Sequence, residues 1–381
     1  MFDVTDAGFL RDPYPFFAEL RECGDVHEHP QLGAVTVSHA AGSAALRSRQ
    51  LGRVWTDAQP AEQFRMFNLL HRNSMLENEP PVHTRLRRLV SAAFGRGHVD
   101  KLREPIRAVV ADLVDGLDGE LVEQVAAPLP VAVIAELLGV PDSDRPLLPA
   151  WSHAIVKMYE PGVGEQQRLA AETASAEFVA YLRELAAHRR AHPGEDLISD
   201  LVATPGEQLH EDEMVATAVL LLMAGHEASV NLLANGVLAL LRHPEQWRRL
   251  VTDPGLAPSA VDELIRFDSP LQLFERTAVA DVDIAGHRVR EGEKIAVLLG
   301  AAAHDPDVFD RPERLDITRS PNPHLGFGAG LHYCLGAPLA RLEAQTALEE
   351  LVRRRPGLHL TGEPQRRPEF VIRGLRALPV G

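Results

Sequence analysis

Cysteine is nearly absent. The 381 residues contain only Cys23 and Cys334, too few for a disulfide framework or a four-cysteine zinc site, so the chain reads as one kept in a reducing compartment. Lysine is almost as scarce, with Lys101, Lys157 and Lys294 the only ones among 39 basic residues. Against 54 acidic residues the formal net charge is −15, which argues against a nucleic-acid partner. The start of the chain, Met1 to Asp6, carries neither a basic segment nor an apolar run, and the longest apolar run, Val215 to Gly225, is too short for a bilayer and is followed at once by His226 and Glu227. The expectation is a cytoplasmic protein with no membrane contact, in which that run is a core helix. Repeats, linkers and low-complexity tails are also missing. Aromatics make up 5% of the chain and hydrophobic residues 45%, an ordinary balance for a globular protein with a large core.

What is present is mostly helical periodicity. A short helix is predicted within residues 12 to 23, a weak strand over Gly33 to Val37, and amphipathic helices around Leu86 to Phe94, Leu102 to Leu117, Ala171 to Arg189 and Glu211 to Arg242. The last spans roughly 48 Å, enough to cross a whole domain. A further short helix carries Glu263 and Arg266, a hairpin turns at Ala285-Gly286, helix returns over Pro338 to Arg354, and strands are expected near Leu358 to Leu360 and Phe370 to Ile372.

The most informative stretch is Phe327-Gly328-Ala329-Gly330-Leu331-His332-Tyr333-Cys334-Leu335-Gly336. Glycines free the backbone to close around a sulfur, and a following helix presents its positive end; both favour thiolate over thiol. An arbitrary lone cysteine is more often an inert small hydrophobe. The spacing F-x-x-G-x-x-x-C-x-G, however, arises by chance in only about one in a thousand chains of this length. This stretch, with Ala337 to Glu343 after it, closely resembles the haem-binding signature of the cytochrome P450 family in its soluble bacterial form. The resemblance runs from about residue 12 to the C-terminus and implies a mainly α fold with small β regions, residues 1–381 forming a single haem-thiolate monooxygenase domain with haem b between the long helix and the cysteine loop.

It also implies roles residue by residue. Cys334 is the iron ligand, with Phe327 shielding the sulfur and Gly328 and Gly336 admitting the backbone and the flat macrocycle. His83, Arg87, Arg276 and His332 stand where the family places partners for the haem propionates, whereas Arg85 and Arg88 read as an exposed basic face. Glu263 and Arg266, 71 and 68 residues before Cys334, match the family's buried structural pair; elsewhere E-x-x-R is usually a solvated salt bridge. Ala224-Gly225-His226-Glu227-Ala228-Ser229 resembles the oxygen-binding groove, with Ala224 and Gly225 beside the haem. It departs from the pattern in having Ala228 where the family has a threonine whose hydroxyl helps deliver protons to dioxygen. Three readings stay open there: a substrate hydroxyl or ordered water supplies the path, the reaction does not need the usual oxidant, or Ser229 substitutes after local helix distortion. Glu227, Ala228 and Ser229 are therefore the catalytic candidates. His226, like most histidines in core helices, is more simply a satisfied core residue.

By the same resemblance, substrate contacts fall on Phe64, Met66, Phe67, Met158, Tyr159 and the run Leu271, Gln272, Leu273 and Phe274, all of which read equally well as ordinary core. The implied activity is insertion of one oxygen atom from O2 into a small, fairly apolar molecule in natural-product or xenobiotic metabolism, free or tethered to a carrier protein. Electrons come from a ferredoxin and its reductase, docking on the cysteine side near Arg87 and Arg341, and the protein is expected to be a monomer. Non-hydroxylating chemistry such as oxidative coupling is the alternative that Ala228 keeps open, and a non-catalytic haem sensor or carrier is the alternative of another class.

Overall fold

The computed structural model describes residues 2–205 and 208–381. Helix accounts for 55% of the chain, with only small sheets, as the mainly α reading expects. The chain resolves into two compact units, one comprising Met1–Gly52, Asp100–Leu129 and Ala228–Gly381 and the other Arg53–Val99 and Pro130–Glu227.

The first unit contains a sheet built from β1 (Val26–His29), β2 (Gly33–Thr36), β3 (Leu51–Gly52), β4 (Leu273–Ala278) and, beyond the hairpin strands β5 (Val282–Ile284) and β6 (His287–Val289), β7 (Lys294–Leu298). The order is β1-β2-β7-β4-β3; β2 and β7 run parallel and the other neighbours antiparallel. The hairpin turns at Ala285 (φ 50°) and Gly286 (φ 81°), the two left-handed residues a tight two-residue connection requires. Against the sheet lies the helix His39–Arg47, capped by the Ser38 hydroxyl, and Ala45, Leu46, Ile295, Val297, Leu325 and Ala329 share one apolar core. Leu325 and Ala329 belong to the approach to Cys334, so the cysteine loop is fastened to the sheet by apolar burial on its way in.

A polar anchor fastens the segment before it. Glu263 and Arg266, on the helix Ala257–Phe267, are both fully buried and joined by two bonds of 2.7 and 2.8 Å. Arg266 also donates to the carbonyls of Ala303, Pro312 and Arg314, while Glu263 accepts from Arg319, Asn322 and the Asp316 amide. The chain from 303 to 322 has almost no regular structure, and this network gives its backbone groups the partners that a helix or strand would otherwise supply. A second buried hub, Asp268, accepts from Tyr14, Arg366 and Arg373, whose charges hold its carboxyl well below the usual range.

The helix Ala337–Arg354 follows the cysteine loop, and its Glu343 is only 4% exposed, with the Ser229 hydroxyl as hydrogen-bond partner. Burial in apolar surroundings pushes the Glu343 carboxyl up to about 8, against only partial relief from Ser229. The long helix Glu211–Arg242 is, among the described residues, the one helix with the length and composition to cross a membrane, but 78% of its most apolar window is buried in protein, so it is a core helix.

In the second unit the helix Glu165–Ala191 packs against Leu148–Val156 and Arg65–Arg72. Glu172 accepts from the Met66 and Phe67 amides at 3.0 and 2.9 Å, supplying from another element the cap that Arg65–Arg72 lacks at its own N-terminus. Arg85 binds Glu213 through both guanidinium arms and the Gln208 carbonyl at 2.7 Å. It is therefore a fastener of the helix Val82–Val90 rather than part of an exposed basic face; Arg88 alone fits that description.

The C-terminal strands differ from expectation. Leu360 and Ile372 make only isolated bridges, to Val380 and Leu271, and the ladder pairs β8 (Gln365–Arg366) with β9 (Leu375–Ala377).

Replacing Arg266 by Ala leaves the Glu263 charge buried and should cost about 3–5 kcal/mol, read as a lowered denaturation midpoint; a loss below 1 kcal/mol would refute the anchoring role. Glu343 predicts a pH effect of definite sign. Its carboxyl stays protonated in the folded chain well above the ordinary value of 4.5, so its stabilising contribution declines as pH rises from there to about 8. Denaturation across that window should show Glu343→Gln losing less stability than the parent, and parallel curves for the two would count against the assignment.

Candidate active site

The cysteine loop is shaped by two left-handed glycines, Gly328 (φ 70°) and Gly330 (φ 71°). At Gly330 a β-carbon would also lie 2.5 Å from the Leu46 carbonyl oxygen, so only glycine lets the loop rest on the end of the helix His39–Arg47. The Gly328 amide donates to Leu325 at 2.7 Å and the Cys334 amide to the Phe327 carbonyl at 2.9 Å, closing the loop on itself. Phe327 is covered on one side by the Arg341 guanidinium, 4.4 Å from the ring centroid. Arg341 in turn bonds Asp262 at 2.8 Å and Tyr333 at 3.3 Å.

Gly336 is different. Its φ of −80° suits any residue and a β-carbon there meets no atom within 4 Å, so nothing in the chain itself demands glycine. A flat group lying against the backbone at this point accounts for it. The donor chemistry agrees. Among the described residues no group of three or more His, Cys, Asp or Glu side chains is arranged to hold a metal ion, so a metal at Cys334 has to bring the rest of its coordination with it, as a macrocycle does. On the same unit Arg276, 1% exposed on β4, donates to the Glu275 carbonyl at 3.2 Å and lies 4.6 Å from the Phe274 ring centroid, while His332 is buried beside the cysteine.

The long helix shows the complementary feature. Within an otherwise buried stretch, Ala224 and Ala228 are exposed. Four residues apart, they share one face, and their small side chains leave it open. Gly225 has another duty: a β-carbon would approach Ile134 to 3.1 Å, so glycine here permits close packing with the helix Pro128–Leu138. The helix is unbroken from Glu211 to Arg242 and Ser229 is engaged by Glu343. Ser229 itself is half-buried.

On the second unit His83 is buried, its Nδ1 bonded to the Met75 carbonyl at 2.8 Å, and Arg87 is half-buried one turn on. Because a carbonyl only accepts, His83 Nδ1 carries a proton. Glu227, 4% exposed, has Ser152 Oγ at 3.5 Å, His226 Nδ1 at 3.7 Å and His153 Nδ1 at 3.8 Å from its Oε1.

Of the substrate candidates, Phe64 is buried beneath the Arg168 guanidinium, and Phe67 packs with Trp55 and His71. Tyr159 reaches the same cluster through a 3.0 Å contact between its hydroxyl and His71 Nε2, and Met66 and Met158 are half-buried nearby in sequence. Burial lowers the His71 pKa, keeping its imidazole neutral. Leu271 and Phe274 are half-buried and Leu273 is buried. Gln272 is fully buried, bonds the Ser269 carbonyl and Tyr14, and fills the space over Gly300. Sequence reasoning assigned the whole loop 55 to 76 to substrate, which holds Trp55 and His71 without singling them out, and passed over Ser152 and His153, for which there was no signal.

Comparison with known proteins agrees with this construction. The family model described as Cytochrome P450 matches residues 255–356. The "Biotin biosynthesis cytochrome P450" of Bacillus subtilis is 37% identical over 99% of this chain and 98% of its own length, and the "Cytochrome P450 monooxygenase PikC" of Streptomyces venezuelae is 40% identical over 98% and 91%. The solved structure of P450BioI in complex with a hexadec-9Z-enoic acid ligated acyl carrier protein superposes with a TM-score of 0.95 at 36% identity, covering 98% of this chain and 99% of that one. The chain therefore belongs to the cytochrome P450 family of haem b monooxygenases.

Proposed function

We propose that the whole chain acts as one monooxygenase domain in the cytoplasm, as a monomer, inserting one oxygen atom from O2 into a small, largely apolar substrate with electrons from a ferredoxin and its reductase. The observation that carries the reading is the pairing of a glycine-shaped thiolate loop, open at Gly336, with an exposed small-residue face at Ala224 and Ala228 on a core helix. Cys334 holds the haem, whose thiolate-ligated iron supplies the oxygen-cleaving chemistry. Arg276, His332, His83 and Arg87 pair with its two carboxylates. With Nδ1 already donating to Met75, His83 serves a carboxylate through Nε2 only when doubly protonated. Phe327 keeps water from the sulfur, and Glu227 holds a proton for the reaction. Met66, Phe67, Met158 and Tyr159 on the second unit, and Leu271 and Phe274 on the first, are the apolar side chains assigned to substrate.

A second reading concerns how the substrate arrives. A relative that covers nearly the whole chain was solved with a fatty acyl group delivered on a carrier protein, which supports a carrier-tethered substrate here also.

Both readings meet in one titration. The oxidised protein is mixed with free apolar metabolites and, in parallel, with acyl chains on a carrier protein, and the Soret band is followed for the shift from low to high spin. A shift with free compounds supports the first reading, and a shift with the tethered chains alone supports the second. No shift in either series, on protein whose reduced carbonyl complex reports a thiolate ligand, would sink the apolar-substrate assignment. At Ala228, exposed space is the feature expected to serve substrate, so Ala228→Thr should not raise the fraction of consumed O2 recovered as product. A clear gain with the native substrate would show instead that the missing hydroxyl limits the enzyme.

A further inference from the structure

Glu227 poses a problem of supply. Its carboxylate is buried, with 5% of the side chain exposed, and the next residue, Ala228, has no hydroxyl to continue a chain of proton carriers. The helix Leu148–Val156 supplies what the long helix lacks. Its sequence is apolar except for the adjacent Ser152 and His153, and both reach the same oxygen of Glu227. Ser152 is buried and donates its hydroxyl at 3.5 Å. His153 places Nδ1 at 3.8 Å while 38% of its side chain remains exposed, whereas His226, with Nδ1 at 3.7 Å, is 11% exposed. These three contacts grade from dry to wet, and of the three His153 is the most exposed. Trp151, one residue earlier, faces the other way, bonding Glu177 at 2.8 Å and stacking on Phe178.

We propose that Ser152 and His153 are positioning residues for Glu227, and that His153 is the group through which Glu227 exchanges protons with solvent. This rests on the monooxygenase reading above. The imidazolium passes its Nδ1 proton to Glu227 Oε1, leaving a neutral ring and a carboxylic acid. The neutral ring keeps its Nε2 proton, so the vacated Nδ1 takes up a proton from solvent when the half-exposed ring turns outward, and Glu227, once it has given its proton to the reacting oxygen, is again a carboxylate ready to accept. A separation of 3.8 Å closes by a small rotation of the half-exposed ring or through one water. The elements packed against this helix carry further ionisable groups: Asp142, Asp144 and Arg145 before it, Lys157 and Tyr159 after it, and Glu165, Arg168, Glu172, Glu177, Tyr181, Arg183, Glu184, His188, Arg189 and Arg190 along Glu165–Ala191, with Asp144 and Tyr181 bonding each other at 2.9 Å.

The test uses the holoenzyme in two arms. In the first, ring-nitrogen NMR of the diamagnetic reduced carbonyl form follows His153 Nδ1 in the parent and in Glu227→Gln. The signal should move with the substitution, and an unchanged signal overturns the contact. In the second, product formed per O2 consumed is measured against pH. The parent should lose coupling as pH rises. His153→Gln should abolish that limb and lower coupling on the order of tenfold, with the substrate-induced spin shift retained. His153→Lys should restore coupling at neutral pH without the limb. A limb that survives in His153→Gln overturns the route. Loss of the thiolate carbonyl spectrum in the parent would instead defeat the monooxygenase reading, which keeps the two failures apart.

Discussion

The buried pair of Glu263 and Arg266 determines more of this structure than any other single interaction. An ion pair inside a protein forfeits the hydration of both charges, and mutual attraction alone rarely makes up the difference. Here the remaining hydrogen-bonding capacity is filled by the chain itself: three carbonyls on the arginine, and an amide, a second arginine and an asparagine on the glutamate. All of those partners come from residues 303 to 322, a stretch that past the helix end at Ala303 has neither helix nor strand. The pair thus converts a segment with no repetitive pattern into one with a fixed path, and that path delivers Leu325 and Ala329 to the sheet and Cys334 to its position. A site that needs its ligand held rigidly is supported here by electrostatics on one side and apolar packing on the other.

How much of this could be read in the sequence varies with the kind of signal. The cysteine loop and the long helix were legible because glycine spacing and helical periodicity are local properties, and the boundaries Glu211 and Arg242 agree in both accounts. The strand Val26–His29 was not, because its sequence Val-His-Glu-His has no alternation of apolar and polar residues; its place is set by pairing with β2. Helices such as Pro128–Leu138 are apolar almost all round and carry little periodic signal. At the site, residue types marked Cys334, Glu263 and Arg266, while Arg85 changed meaning once its partner Glu213 was known. Partners distant in sequence leave no trace in a single chain.

The two alanines of the long helix illustrate the same point in reverse. Alanine is the best helix former and the least informative residue, and nothing in composition separates Ala224 and Ala228 from their many counterparts in the core. Their exposure within a buried helix is what gives them meaning.

The contact between Gly330 and the carbonyl of Leu46 has a consequence for modularity. The segment by which the family is recognised, residues 255–356, contains the whole cysteine loop, the buried ion pair and the helix that follows. It does not contain the helix His39–Arg47 on which the loop rests, nor β2, which pairs with β7. The signature is therefore not a transplantable cassette. Excised, it would carry every residue of the thiolate motif and none of the floor beneath it, and closing the loop in the intact chain requires two stretches from nearly opposite ends of the polypeptide to find each other first.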